Sequence, residues 1–98
     1  MVSRRLPATR PARAYRIEFK PAAVRELAAL DQRDRVRVAK RIDSLAANPR
    51  RRGAEKLKGA DDIWRVRAGD YRIVYAIQDA VLLVLVVRVG HRRDVYRQ

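Results

Sequence analysis

Ile63-Trp64-Arg65-Val66-Arg67-Ala68-Gly69-Asp70-Tyr71-Arg72-Ile73-Val74-Tyr75 is the stretch on which the fold turns. Gly69-Asp70 is a two-residue turn signal between two runs rich in β-branched and aromatic residues, which predicts an antiparallel hairpin. A two-residue loop fixes the register. Ala68 then faces Tyr71, Arg67 faces Arg72, Val66 faces Ile73 and Arg65 faces Val74. Side chains alternate along a strand, so Trp64, Val66, Ala68, Tyr71, Ile73 and Tyr75 share one side, a credible core face. Arg65, Arg67 and Arg72 share the other. Like charges directly opposed across two strands destabilise a sheet by roughly 0.2–1 kcal/mol. A bound phosphate would compensate. A solvated face, with Asp61, Asp62 or Asp70 as local partners, is the alternative.

Outward from the hairpin, Val81–Val89 is apolar for most of its length, as expected of a strand covered on both faces. On the N-terminal side, Arg50, Arg51, Arg52, Lys56 and Lys58 mark a basic connector ending at Gly59. Before it, Val36, Ala39, Ile42, Leu45 and Ala46 are read as the apolar stripe of a helix that Asp31 or Asp34 caps and Asn48-Pro49 ends. Arg33, Arg37, Lys40, Arg41 and Ser44 then face outward. Pro21 opens an earlier, shorter helix with Ala23, Leu27 and Leu30 on one side. Tyr15 to Lys20 alternates apolar and polar like a half-buried strand. The expected architecture is α+β: an antiparallel sheet of about four strands backed by an N-terminal helical hairpin, in the order β-α-α-β-β-β.

The 98 residues make one domain, placed at residues 15–98, behind a basic flexible tail at residues 1–14. That tail, Arg/Pro/Ala-rich with Pro7 and Pro11, either touches nucleic acid or reflects an over-long gene start. The chain has no cysteine and one histidine, so neither a disulfide frame nor a thiolate or multi-histidine metal site is expected, and no cofactor. The longest apolar run, Ala80 to Val87, falls short of the ~18 residues of a membrane span. No apolar segment in the N-terminal tail resembles a secretory signal, and a cytoplasmic protein is expected. The net charge of +13 predicts a polyanionic or acidic partner, bound in a salt-dependent way. Lysine stands only at positions 20, 40, 56 and 58 among 24 basic residues, part of which can reflect codon bias.

The tail end adds Gly90, His91, Arg92, Arg93 and Tyr96. A histidine titrates near neutrality, an arginine offers a permanent bidentate fork for phosphate, and a tyrosine can stack on a base.

Residues 15–96 resemble the RelE/ParE superfamily of bacterial and archaeal toxins, its RelE branch most of all. Asn48-Pro49, Lys56-Leu57-Lys58-Gly59, Arg65-Val66-Arg67, the Gly69–Tyr75 segment and Val89-Gly90-His91-Arg92-Arg93-Asp94-Val95-Tyr96 carry the likeness. The resemblance implies a toxin of a type II toxin–antitoxin system: a metal-independent endoribonuclease that cleaves mRNA in the ribosomal A site through the RNA's own 2′-OH. It also implies a RelB-like antitoxin, with DNA bound only through that antitoxin.

Such chemistry needs a base, cations around the phosphorane, and an acid for the leaving oxygen. By position Arg65 and Arg67 match two functional lysines of that branch. Arg72 matches an arginine after the hairpin turn, Arg92 an acid or phosphate clamp, and Tyr96 a terminal tyrosine that orients the substrate. The segment after Gly90 is short, which leaves Arg93 as the alternative to Arg92, and the sequence ends at Gln98 without the extra helix some members carry. Arginine cannot act as a base, so that role passes to His91, water or a ribosomal group. Arg50, Arg51, Arg52, Lys56, Lys58 and Arg93 suit contacts with RNA. The competing readings are a ParE-like toxin that inhibits DNA gyrase without cleaving anything, and a catalytically weakened relative that binds RNA or its antitoxin.

Overall fold

The computed structural model describes residues 14–59 and 62–91. In chain order they form β1 (Arg16–Phe19), α1 (Pro21–Ala28), α2 (Gln32–Ser44), β2 (Glu55–Lys56), β3 (Ile63–Ala68), β4 (Tyr71–Gln78), a 3-10 turn (Asp79–Val81) and β5 (Leu83–His91). The sheet runs β1-β5-β4-β3-β2. The α+β architecture is the expected one, with two differences. The sheet has five strands, not about four, and it is mixed, because β1 pairs parallel to β5. The fifth strand, β2, is two exposed residues inside the basic connector, too short to show any alternation.

The central hairpin has the predicted register, from Ala68 opposite Tyr71 to Arg65 opposite Val74. Val66, Ala68, Ile73 and Tyr75 are buried, with Trp64 and Tyr71 packed against them. β5 begins at Leu83 rather than Val81, since Asp79–Val81 is a turn and Leu82 adopts a left-handed φ of 50°. No glycine or proline announces that turn. Opposite the Val74/Tyr75 step the ladder slips, so that Val74 faces Arg88 and Tyr75 faces Val86, leaving Val87 as a bulge. The bulge returns both Val86 and Val89 to the core. It also explains the unbroken apolar run. Leu85 and Val87 are only half-buried, so among the described residues the helices cover one face of β5, not both.

Both helices contribute to that core. Pro21 opens α1, and Asp31 caps α2, its carboxylate accepting from the Asp34 amide at 2.9 Å. On α2 the buried residues are Val38, Ile42 and, just beyond its end, Leu45, whereas Val36 is 47% exposed. The expected stripe through Val36 is therefore corrected. At the helical repeat Val36 lies about 120° around the axis from Ile42, but Val38 only about 40°.

Tyr75 ties the sheet to the segment that follows α2. It is fully buried, and its hydroxyl donates to the Pro49 carbonyl at 2.6 Å. Burial pushes its hydroxyl up to about 12, against the opposing charges of Arg41 and Arg50. The unfolded phenol titrates near 10, so the unfolded state loses its proton first as the pH rises. Stability conferred by Tyr75 is complete below pH ~10 and is lost toward pH ~12, by about 3 kcal/mol in all. Urea melts between pH 9 and 12 should show that decline, and Tyr75→Phe should flatten it.

Candidate functional site

The face of the hairpin opposite the core carries the arginines. Arg67 and Arg72 are directly opposed across β3 and β4, and Arg65 lies two residues along β3 on the same side. Around them is a cleft of about 160 Å³, lined by Gly53, Glu55, Arg65, Val66, Arg67 and Arg72. Gly90 stands across from Arg72 on β5 and adds no side chain there. Gly53 has a φ of +93°, which suits glycine, and a Cβ there would meet the Arg41 guanidinium at 3.1 Å.

Arg65 is held by an acid that sequence reading did not identify. Its Nε and a terminal nitrogen donate to Glu55 Oε1 at 3.2 and 2.8 Å. The pair exists because Glu55 of β2 sits in register with Arg65. Nothing in a two-residue strand signals that pairing in advance. Arg88 shares the arginine face through its pairing with Val74, but Glu26 of α1 holds its guanidinium at 2.9 Å. The other oxygen of Glu26 accepts from the Val89 amide at 2.7 Å.

Beside the cleft, between α2 and β3, is a wider groove of about 410 Å³. Arg37, Lys40, Arg41, Ser44 and Arg51 line it, with Arg67 and Ala68 of β3. Its lining contains no acid. Arg67 therefore joins the cleft to the groove, and the two form one continuous cationic surface. The spacing of residues 37, 40, 41 and 44 on one helical face was the available signal for the groove.

The basic connector divides. Arg51 lines the groove, and Arg52, Lys56 and Lys58 are exposed. Arg50 is turned away. It donates to both carboxylate oxygens of Asp79 at 3.1 and 2.9 Å, lies 3.6 Å from Asp62, and stacks over Trp64 at 5.6 Å. Tyr15 completes that knot, its hydroxyl donating to Asp79 at 2.5 Å. That hydrogen bond raises the Tyr15 hydroxyl above its usual range. Arg50, assigned from sequence to RNA binding, is thus engaged as a structural tie.

His91 also departs from expectation. It pairs with Tyr71, and their rings meet edge to face with centroids 5.8 Å apart. Tyr71 in turn donates to Asp34 of α2 at 3.2 Å. Burial, followed by that bond to Asp34, raises the Tyr71 hydroxyl. His91 therefore sits on the helix-covered side of the sheet, across it from Arg72, and is not brought to the arginine cleft. Arg92, Arg93 and Tyr96 lie outside the described residues. Among those residues no helix is long and apolar enough to cross a membrane.

A family model described as the ParE toxin of the type II toxin–antitoxin system parDE matches residues 17–96. The mRNA interferase toxin RelE of Escherichia coli K12 is 32% identical over 89 residues, covering 87% of this chain and 93% of that protein. A chain of the toxin–antitoxin complex RelBE2 from Mycobacterium tuberculosis matches with a TM-score of 0.73 at 28% identity, covering 85% of this chain and 97% of that one. The archaeal RelE–RelB complex of Pyrococcus horikoshii OT3 supplies a match with a TM-score of 0.72 at 26% identity, covering 87% and 99%.

Proposed function

The chain belongs to the ParE toxin family of type II toxin–antitoxin systems, with RelE toxins among its relatives, and from that premise we propose that it is an mRNA-cleaving toxin held in check by an antitoxin. It acts on mRNA in the ribosomal A site in the cytoplasm, needs no metal, and uses the substrate's own 2′-OH as the nucleophile. The observation that carries this reading is the opposed pair Arg67 and Arg72 on an open cleft with Arg65 beside them. A trigonal-bipyramidal phosphorane gathers negative charge on its equatorial oxygens, and fixed guanidinium groups aimed at it are the preorganised charge that this chemistry requires. Arg92 serves in the same chemistry as clamp or acid, and Tyr96 as the substrate-orienting ring. The adjoining groove of Arg37, Lys40, Arg41 and Arg51 extends the cationic surface for the phosphate backbone of RNA, giving affinity without sequence choice. Arg52, Lys56 and Lys58 widen that surface, and Arg93 is a further RNA-binding residue.

The antitoxin is RelB-like and acidic, and it folds on binding. Exposed Phe19 and Val24, with Leu27 beside them around a shallow apolar hollow, are surface for it to bury. DNA is bound only through this partner.

The division of the basic connector makes one prediction. Arg51→Ala lowers the slope of log affinity against log salt for ribosome binding by about 1 and leaves thermal stability alone. Arg50→Ala leaves that slope and lowers stability by about 1 kcal/mol, since it removes a partly exposed bidentate pair and a ring contact. Salt-dependent binding and thermal melts of the two variants check both.

The reading is tested by inducing the chain in cells and mapping 5′ ends on one mRNA with its start codon intact and destroyed. Cuts confined to the translated message are expected. Growth arrest without cuts would instead point to gyrase, and no arrest to a relative that only binds.

A further inference from the structure

We propose that the groove between α2 and β3 is a binding site for a chain of three or more phosphates, inorganic or carried by a nucleotide, and that filling it inhibits RNA cleavage. The inhibition rests on the cleavage reading above; the site does not. Arg37, Lys40 and Arg41 of α2, Arg51 of the connector and Arg67 of β3 line the groove, with no acid among them. Among the described residues none of these five forms an ion pair. Arg41 Nε is buried and has no hydrogen-bond partner there, a donor that a ligand would satisfy. Two of the guanidinium groups lie against glycines. A Cβ at Gly69 would come within 2.7 Å of Arg37 Nη1, and one at Gly53 within 3.1 Å of Arg41 Nη2. Both groups are thus set close against backbone, and have less freedom to lose when an anion binds.

Charge density selects the ligand. The groove measures about 410 Å³, roughly a 7 Å cube. RNA carries one charge per nucleotide, so a strand crossing a space of that size brings one or two charges to five cations. Phosphates joined through single bridging oxygens, each with at least one charge, place three or more in the same space. Guanidinium forks take phosphate oxygens in pairs, and the Lys40 ammonium adds a point charge. Arg67 connects the site to the chemistry, because it also lines the cleft, directly opposite Arg72. A phosphate chain seated in the groove engages Arg67 and sets negative charge beside the cleft, where it repels the RNA phosphate.

The test is calorimetric titration of the full-length chain with inorganic triphosphate and, separately, with ATP, at about 0.15 M salt, where distant exposed charges are screened. Arg41→Gln and Lys40→Gln are each expected to weaken triphosphate binding about 10-fold. Lys20→Gln makes the same charge change as Lys40→Gln at a residue that lines neither cavity, and is expected to cost less than about 2-fold. Thermal melts show that the variants fold, and Lys40 is exposed, so its replacement leaves the core untouched. ATP bound as tightly as triphosphate makes the chain the ligand in either carrier, and ATP refused makes it the free inorganic chain; both support the site. In single-turnover cleavage of ribosome-bound mRNA at fixed free Mg²⁺, triphosphate is expected to slow the wild-type chain but not Arg41→Gln. No binding by wild type overturns the site, and so does an equal loss in Lys20→Gln and Lys40→Gln, which would mark an adventitious ion only. Binding that leaves cleavage untouched overturns the inhibition. Message left uncut without any triphosphate overturns the toxin reading instead, and the titration still decides the site.

Discussion

Replacing Arg72 with alanine is expected to lower single-turnover cleavage of ribosome-bound mRNA about 10²–10³-fold, the usual cost of removing one preorganised donor from a developing oxyanion. Arg72 and Arg67 are directly opposed, and Gly90 on the next strand offers neither bulk nor countercharge. Opposed like charges cost a sheet roughly 0.2–1 kcal/mol, and a phosphate lying between the two forks would offset that cost. Alanine at this position therefore removes transition-state charge without removing a stabilising contact between the two arginines. Lysine should restore the rate only in part, because it carries the charge without the planar fork. Removing Arg67 and Arg72 together should cost less than the product of the two single effects, as expected of groups acting on one phosphate. Rates for the two single variants and the double variant check this. A fully active Arg72→Ala chain would remove the arginine pair from the mechanism.

The largest effect on stability is expected at Ile42. It is 1% exposed on α2, and truncation to alanine leaves a cavity under the helix worth about 2–5 kcal/mol. That is a large part of the 5–15 kcal/mol that typically holds a small domain together. Val36→Ala, at a site 47% exposed, should change stability by about 0.5 kcal/mol or less. Urea unfolding followed by circular dichroism separates the two. Equal effects would return Val36 to the buried stripe. Because α2 carries Arg37, Lys40 and Arg41 along the groove, loosening it at Ile42 should also weaken binding to ribosomes, which Val36→Ala should not do.

The central hairpin was legible because a two-residue turn leaves its register no freedom, and from Gly69-Asp70 alone the arginines could be sorted to one face. Other features were hidden for identifiable reasons. Glu55–Lys56 is too short for alternation, so neither β2 nor the Glu55–Arg65 pair could be anticipated. The turn at Asp79–Val81 has no glycine or proline, and the Val87 bulge blurs the faces of β5. Arg50 looks like its neighbours Arg51 and Arg52 in sequence, and only the return of the chain at Asp79 separates it from them. His91 was grouped with the arginines by proximity along the chain, whereas strand alternation places it with Tyr71. The family resemblance depended on residue order, which is why it survived these local corrections.

Cleavage of mRNA on the ribosome through the substrate's 2′-OH, as proposed, makes the cut depend on a single hydroxyl. The most direct measurement uses purified chain, programmed ribosomes and two mRNAs that differ by a single 2′-deoxy substitution 5′ of the scissile phosphate. The account predicts a cut ending in a 2′,3′-cyclic phosphate in the all-ribose message when ribosomes are present, and none in the deoxy message or in free mRNA. Equal cutting of both messages, or no cutting on ribosomes, would contradict it.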